Sequence, residues 1–460
     1  MLIGSGIAHS FFVLNMSIAP IHFDRCLPPD DAQRRLLHDE VHARPPARIR
    51  LPALVVYVAV LNADVTREDE CAHLRKLPGQ HDLMPEQLQG NFLRLRLPGY
   101  TLKWERHTEF TRYSLVQPLP DSAGLQARDP DLLPALVAPT DWLRGIPGRT
   151  IAAIKLAMVW GDLQAVDATM AQARGWLGEH AVVASVMGSQ AHTQTWALTD
   201  FMLRPSGFER MLVVAPARLT DTRAGRIAQR LLELETYRLM ALQGLPVAKA
   251  LAPVLTQAEG DLADITARLE GRSASDQELL DTLVALAARI ERATATHVYR
   301  FSATSAYAAV VEQRIAELRE QPIPGTQTIG EFMQRRLSPA MATVAATGQR
   351  LSSLSERVSR TSALLRTRVD IATEVQNQQL REKLTRGQEM QLRLQTTVEG
   401  LSIAAISYYV VSLLVYGGKA LKGAGVPINP EVAAGALIPL VLWGVWSATR
   451  RVHKKLYAEA

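Results

Sequence analysis

LSIAAISYYVVSLLVYGG (residues 401–418) and VAAGALIPLVLWGVWSAT (residues 432–449) decide how the rest of this 460-residue sequence is read. Each stretch is 18 residues long and carries no charge. At ~1.5 Å rise per residue either makes a helix of about 27 Å, enough for a hydrocarbon core of about 30 Å when flanking residues snorkel. A buried hairpin of a soluble domain normally keeps charge on one face, and neither stretch has any. The linking segment KALKGAGVPINPE (residues 419–431) contains Gly423, Gly425, Pro427 and Pro430, which predict a short turn and an antiparallel pair. The reading is a C-terminal two-helix transmembrane hairpin.

Flanking charge orients it. Arg381, Lys383, Arg386 and Arg393 precede the first stretch, Arg450, Arg451, Lys454 and Lys455 follow the second, and the loop has only Lys419 and Lys422. Under the positive-inside rule both ends are cytoplasmic, and the location expected is a bacterial inner membrane. Trp443, Trp446, Tyr408, Tyr409 and Tyr416 suit anchoring at headgroup depth. Near the start, Ile3 to Met16 is apolar, but no Lys or Arg precedes it and no small-residue cleavage pattern follows, so it reads as no signal peptide. Met1 and Met16 both stay open as the start of translation, and residues 1–20 are an uncertain extension.

Composition narrows the classes. With 47% hydrophobic and 21% charged residues the chain is neither disordered nor a many-pass transporter. Its two cysteines, Cys26 and Cys71, cannot build a disulfide framework or a thiolate zinc site, which points to a reducing compartment for the body of the protein. A net charge of +6 over this length makes nucleic acid a poor partner.

Between Leu51 and Pro216 β-rich runs alternate with turns. Strands are expected at Ala53–Leu61, Asn91–Leu97, Tyr100–His107, Phe110–Gln117, Thr150–Trp160, part of Ala181–Ala197, and Glu209–Ala215. Arg67–Leu77 and Asp162–His180 have helical spacing. Pro98-Gly99 sets a tight turn between consecutive strands, so the sheet is expected to be mainly antiparallel in an α+β (or α/β) domain over residues 21–216. No strand is followed by a Gly-rich phosphate loop, which disfavours a nucleotide-dependent enzyme.

After Pro216 the composition becomes helical. Helices are predicted at Thr222–Leu242, stopped by Gly244 and Pro246, then at Gln257–Glu270 and Ser275–Glu320, with a break at Pro322, Pro324 and Gly325. From Thr328 to Glu399 a long helix runs as a stalk into the first span, so residues 217–400 form a helical domain and stalk ahead of a hairpin at 401–449 and a basic tail at 450–460. Leu354, Val358, Leu365, Val369 and Ala372 make a short coiled-coil seam that Thr361 and Gln376 interrupt.

Two polar clusters are candidates for chemistry. In LHDEVHARPP, His38 and His42 lie one helical turn apart, a spacing that suits a metal such as a divalent cation, although Asp39 stands where a zinc-protease motif needs Glu. The ordinary alternative pairs Asp39 and Glu40 with Arg34 or Arg35. In KWERHTEF, strand alternation places Lys103, Glu105, His107 and Glu109 on one face, where two carboxylates flanking an imidazole could hold a cation or be a solvated sheet face. His38, His42, Glu105, His107 and Glu109 together form one candidate polar or metal site. No nucleophile elbow occurs, no catalytic residue is assigned and no cofactor is implied. Arg226, Arg230, Glu233, Glu235 and Arg238 read as pairing on a helix surface. In the first span, Ser402, Ala405, Tyr409, Ser412 and Tyr416 recur at steps of three and four, a stripe for helix packing or for lining a pore.

The HARPP segment, WERHTEF, ETYRLMALQGLP and QLRLQTTVEGLSIAAISYYVV resemble a family of uncharacterised bacterial membrane-anchored proteins, from about His22 to Lys455. The resemblance implies a membrane-anchored product and supplies no catalytic residues. In topology the chain is also similar to the pentameric magnesium-channel superfamily, without that family's Gly-Met-Asn after the first span: YGGKALKGAGVPINPE has no counterpart. Two functions follow as expectations: a non-enzymatic cytosolic sensing or scaffolding domain held to the lipid bilayer as a homo-oligomer, or an oligomeric cation channel.

Overall fold

ALVVYVAVL is apolar at every position because this strand is buried on both faces. Leu54, Val56, Val58 and Val60 join one core cluster, while Ala53, Val55, Tyr57 and Ala59 join another on the opposite side. Period-two geometry separates the two sets, and a continuous apolar run is what a central, doubly covered strand requires.

The computed structural model describes residues 31–34, 37–38, 47–120, 137–178, 182–188, 194–271, 274–424, 427 and 429–456. In chain order the elements are β1 (Ala53–Leu61), α1 (Arg67–Leu74), β2 (Phe92–Leu97), β3 (Tyr100–Arg106), β4 (Phe110–Pro118), α2 (Thr140–Arg144), β5 (Arg149–Trp160), α3 (Val166–Leu177), β6 (Val183–Met187), β7 (Thr195–Thr199) and β8 (Glu209–Ala215). They continue with α4 (Asp221–Leu242), α5 (Gly244–Gly271), α6 (Asp276–Leu318), β9 (Glu320–Pro322), α7 (Ile329–Arg336), α8 (Ser338–Gly423) and α9 (Pro430–Leu456). The chain divides into two compact units, Met1–Gln257 with Glu291–Ser353, and Ala258–Ile290 with Leu354–Ala460.

The first unit is built on one nine-stranded sheet of order β2-β3-β4-β1-β5-β8-β7-β6-β9. Among the strand pairs, β5–β8 is parallel and the rest are antiparallel, so the sheet is mixed and the layout is α+β. Residues of α1, α2 and α3 cover one face, with Cys71, Leu74, Trp142, Ala173 and Trp176 in the core. The other face is covered by α4, the C-terminal part of α6, and α7, through Ile227, Leu231, Val311, Leu318 and Met333. Edge strand β2 alternates apolar residues with exposed Arg94 and Arg96, charges that discourage edge-to-edge pairing.

Three differences from the sequence reading have physical causes. Helix α5 begins at Gly244, not Gln257, because Pro246 sits in the first turn, where its missing N–H costs nothing. At Gly244 itself a Cβ would collide with Thr304, so the glycine serves close packing rather than a stop. The break after α6 folds into β9, a three-residue edge strand too short to show alternation.

In the second unit, Leu262 and Ile265 of α5, Leu279, Leu283 and Leu286 of α6, and Leu354, Val358 and Leu365 of α8 are buried. Arg368 donates to the Leu269 carbonyl (3.3 Å) and pairs with Asp276 (3.2 Å). The seam read as coiled coil is therefore satisfied within the chain up to Leu365, while Ala372 is exposed. Among the described residues three helices are long and apolar enough to span a membrane: Asp221–Gly271, Ile329–Gly423 and Pro430–Arg451. One-third (33%) of the apolar window is buried in the first, against 6% in each of the others. The sequence reading omitted the first; its α4 part spends its apolar face on the sheet.

Candidate functional site

The KWERHTEF segment is divided between a strand, a turn and a second strand. Because β3 ends at Arg106 and β4 starts at Phe110, the expected alternation holds for Lys103 and Glu105 but stops before His107. The His107 N–H donates to the Phe110 carbonyl (2.8 Å), closing the turn, and its ring stacks on Phe110 with centroids 4.5 Å apart. Glu109 turns elsewhere: it accepts from the Tyr307 hydroxyl (2.7 Å) and pairs with Arg300. His38 is exposed, and His42 lies outside the described residues, as do Asp39 and Glu40. Glu105 and Glu109 thus answer to different arginines, and among the described residues no three His, Cys, Asp or Glu side chains gather to hold a metal. Glu105, His107 and Glu109 therefore do not share one strand face as the alternation predicts, because alternation cannot continue through a hairpin turn.

Instead, Lys103 and Glu105 face α4 and open a chain of alternating charges. Lys103 Nζ lies 3.0 Å from Glu105 Oε1, and Arg112 Nε donates to Glu105 Oε2. Arg112 Nη1 then reaches Glu233 Oε1 (3.1 Å), and Glu233 Oε2 accepts from Arg314 Nε (2.7 Å). Arg314 Nη1 donates to Glu317 Oε1 (2.9 Å), and Glu317 Oε2 takes Arg230 Nε (3.2 Å). Register explains the link between Glu105 and Arg112, which are directly opposed on β3 and β4. Burial opposes ionisation of Glu105, but the Arg112 guanidinium, then Lys103, hold its carboxyl below the usual range. Burial, the largest influence on Arg112, would lower it; Glu105, Tyr57 and Glu233 together outweigh burial and raise the guanidinium. Burial pulls Lys103 down, with Glu105 opposing. Tyr57 shares a 2.7 Å hydroxyl contact with Thr236 beside this network, and burial pushes its phenol up. A cavity of about 30 Å³ among Tyr57, Lys103, Glu105, Arg112 and Gln229 has room for water and nothing larger.

A second group lies where β8 meets α4. Glu209 is 7% and Glu235 0% exposed. Arg238 Nε donates to Glu235 Oε2 (2.8 Å), and Arg238 Nη2 lies 3.8 Å from Glu209 Oε1. Burial, then the neighbouring Glu235 charge, push Glu209 up to about 8. Burial would lower Arg238, yet Glu235 raises it. Two carboxyls sharing one guanidinium cannot both ionise cheaply, so this pair can take up or release a proton near neutral pH. Glu233 and Glu235, read from the sequence as helix-surface residues, are buried because their helix lies on the sheet. A signal was there to be read: Ala224, Ala228 and Leu231 set an apolar stripe that passes through position 235.

On the opposite face Glu70 is buried with Thr111 Oγ1 (2.6 Å) and Arg106 Nη1 (2.8 Å) as partners. Burial raises its pKa despite both. Nearby His73 stacks on Trp142, ring centroids 4.5 Å apart, with neither ring nitrogen hydrogen-bonded among the described residues. Burial pulls His73 down to about 4. Of these residues the sequence reading touched only Arg106, as the face of KWERHTEF opposite Glu105.

In α8, Ser402, Ala405, Tyr409 and Tyr416 are exposed and Ser412 is half-buried, while Ser407, outside that stripe, is buried. Gly418 approaches Pro430 of α9, whose ring a Cβ on residue 418 would meet at 3.2 Å.

A family profile described as "Protein of unknown function (DUF3422)" matches residues 29–456. No curated protein matches the chain. A solved structure titled "structure of the full-length CmaX protein" is similar at 15% identity over 66% of this chain and 89% of that one, with a TM-score of 0.18.

Proposed function

The chain belongs to the DUF3422 family of proteins of unknown function, and from its own chemistry we propose that it is an integral membrane protein. In this reading a cytosolic, non-enzymatic sensing or scaffolding domain is anchored by a hairpin of residues 401–418 and 432–449. One observation carries it. Tyr408, Tyr409, Leu413, Tyr416, Val432, Leu440 and Trp443 are each more than three-fifths exposed, in stretches without charge, and water is a poor solvent for a surface of that size and composition. A bilayer of inner-membrane type satisfies it, and the flanking Lys and Arg favour the cytoplasmic side for both ends. The apolar window within Asp221–Gly271 is assigned to the soluble part, since α4 covers the sheet and Ala248, Leu251 and Leu255 of α5 are buried.

Alkaline carbonate extraction of membranes tests the anchor. The full chain is expected in the pellet, and a chain lacking residues 401–449 in the supernatant. Recovery of the intact chain in the soluble fraction of lysed cells refutes the proposal.

A second reading is favoured by the outward hydroxyl stripe. Ser402, Tyr409 and Tyr416 lie exposed on α8, where a homo-oligomer would cover them or line a cation pathway. One hairpin cannot enclose a pore, so this reading needs several copies. A monomer in nanodiscs argues against it; divalent-cation flux through liposomes that is lost in Ser402→Leu with Ser412→Leu supports it.

A further inference from the structure

We infer that the first unit binds a small anion bearing two or more phosphate groups, in a cavity where α4 meets the end of α6. The cavity has a volume of about 300 Å³ and is lined by Arg223, Arg226, Arg230, Glu317 and Arg319. That volume is at the lower end of small-ligand sites, which run from about 300 to 1,000 Å³. The inference does not depend on the membrane reading.

Charge is the first argument. Four guanidinium groups face the cavity with one carboxylate, and Glu317 is already committed, one oxygen to Arg230 and the other to Arg314. Arg223, Arg226 and Arg319 have no carboxylate partner among the described residues. Arg223, Arg226 and Arg230 lie three and four residues apart, hence on one face of α4, where like charges repel. Burial, then the charges of Arg226 and Arg230, pull the Arg223 guanidinium below its ordinary value. A folded protein does not gain from such a cluster unless something negative enters it.

Backbone conformation is the second. Arg319 follows the last residue of α6 with φ of 49°, in the left-handed region where helices usually end on glycine. A long side chain held there is strained relative to glycine, and its guanidinium is what it adds to the cavity wall.

Guanidinium forks match phosphate oxygens in pairs and hold charge at every physiological pH, which is why arginine rather than lysine lines polyphosphate sites. The lining carries a formal excess of about three positive charges, matched by a diphosphate. The source could be a free phosphorylated metabolite or a lipid headgroup.

Isothermal titration of the full chain in neutral detergent with pyrophosphate tests the site. Saturable binding is expected, weakened about tenfold or more in Arg223→Gln with Arg226→Gln. Arg319→Gly should weaken it as well while leaving the fold intact, since glycine is relaxed at that φ. Arg94→Gln, on edge strand β2 away from the cavity, should bind as the wild type does. Tighter binding of a lipid with a two-phosphate headgroup, such as cardiolipin in mixed micelles, than of pyrophosphate assigns the site to a headgroup, and the reverse order to a free polyphosphorylated compound; both sustain the inference, whereas tighter binding of glycerol phosphate, which bears one phosphate, overturns it. No saturable binding of pyrophosphate or of the lipid, wild-type affinity in both cavity variants, or an equal loss in Arg94→Gln overturns it.

Discussion

Replacing Glu209 with Gln removes one charge from the buried carboxyl pair and should stabilise the first unit in a pH-dependent way. In the unfolded chain this carboxyl titrates near 4.5, and in the native protein burial and the adjacent Glu235 charge raise it to about 8. Between those values the native state holds a proton that the unfolded state has released, so stability falls as pH rises through that window. At about 1.4 kcal/mol per pH unit, the penalty reaches roughly 3 kcal/mol at neutral pH and levels off above about pH 8. The amide introduced by Glu209→Gln would mimic the protonated acid without this dependence, donating toward Glu235. The assay is thermal unfolding of wild type and Glu209→Gln in neutral detergent from pH 5 to pH 9, followed by tryptophan fluorescence. Trp104, Trp142, Trp160, Trp176 and Trp196 lie in the first unit, so five of the seven tryptophans report on it. The variant should match wild type near pH 5 and exceed it increasingly toward pH 8. A difference independent of pH, or one that shrinks as pH rises, would refute the shared-proton account of Glu209 and Glu235.

Glu105→Gln leaves Arg112 and Lys103 buried beside a neutral amide, and a loss of about 3–5 kcal/mol is expected in denaturant melts; unchanged stability would show that the network is not holding β3 to β4. His73→Phe swaps an imidazole whose nitrogens make no hydrogen bond among the described residues for an apolar ring, and because burial lowers His73 to about 4, wild type loses stability as pH falls below its unfolded value of 6.5. The variant should therefore gain on wild type in melts at pH 5 and show little difference at pH 8. Arg319→Gly relaxes a left-handed residue and should raise stability by about 1 kcal/mol in the absence of anion, read as a small increase in melting temperature.

Strand positions, the turn at Pro98-Gly99 and the apolar C-terminal helices were legible because each depends on residues adjacent in sequence. Seven expected strands match β1 to β8 within a few residues, the Ala181–Ala197 run dividing into β6 and β7. β9 and the parallel β5–β8 pair were not legible, since neither leaves a local pattern. Of the residues read as one polar site, Glu105 and Glu109 are each held by an arginine, but different ones. Sequence spacing says which face a residue takes only while the strand continues, and β3 stops at Arg106.

By itself the sequence determined what contiguous residues determine: two uncharged helix-length stretches near the end, a β-rich body and a helical remainder. The tertiary structure alone decided which charges meet. Arg112 finds Glu233 across 121 residues and Glu109 finds Arg300 across 191, because sheet order and the return of α6 bring them together. Hydrophobic periodicity is a local property of the chain, whereas an ion pair needs two distant segments in register, and only the folded sheet supplies that register.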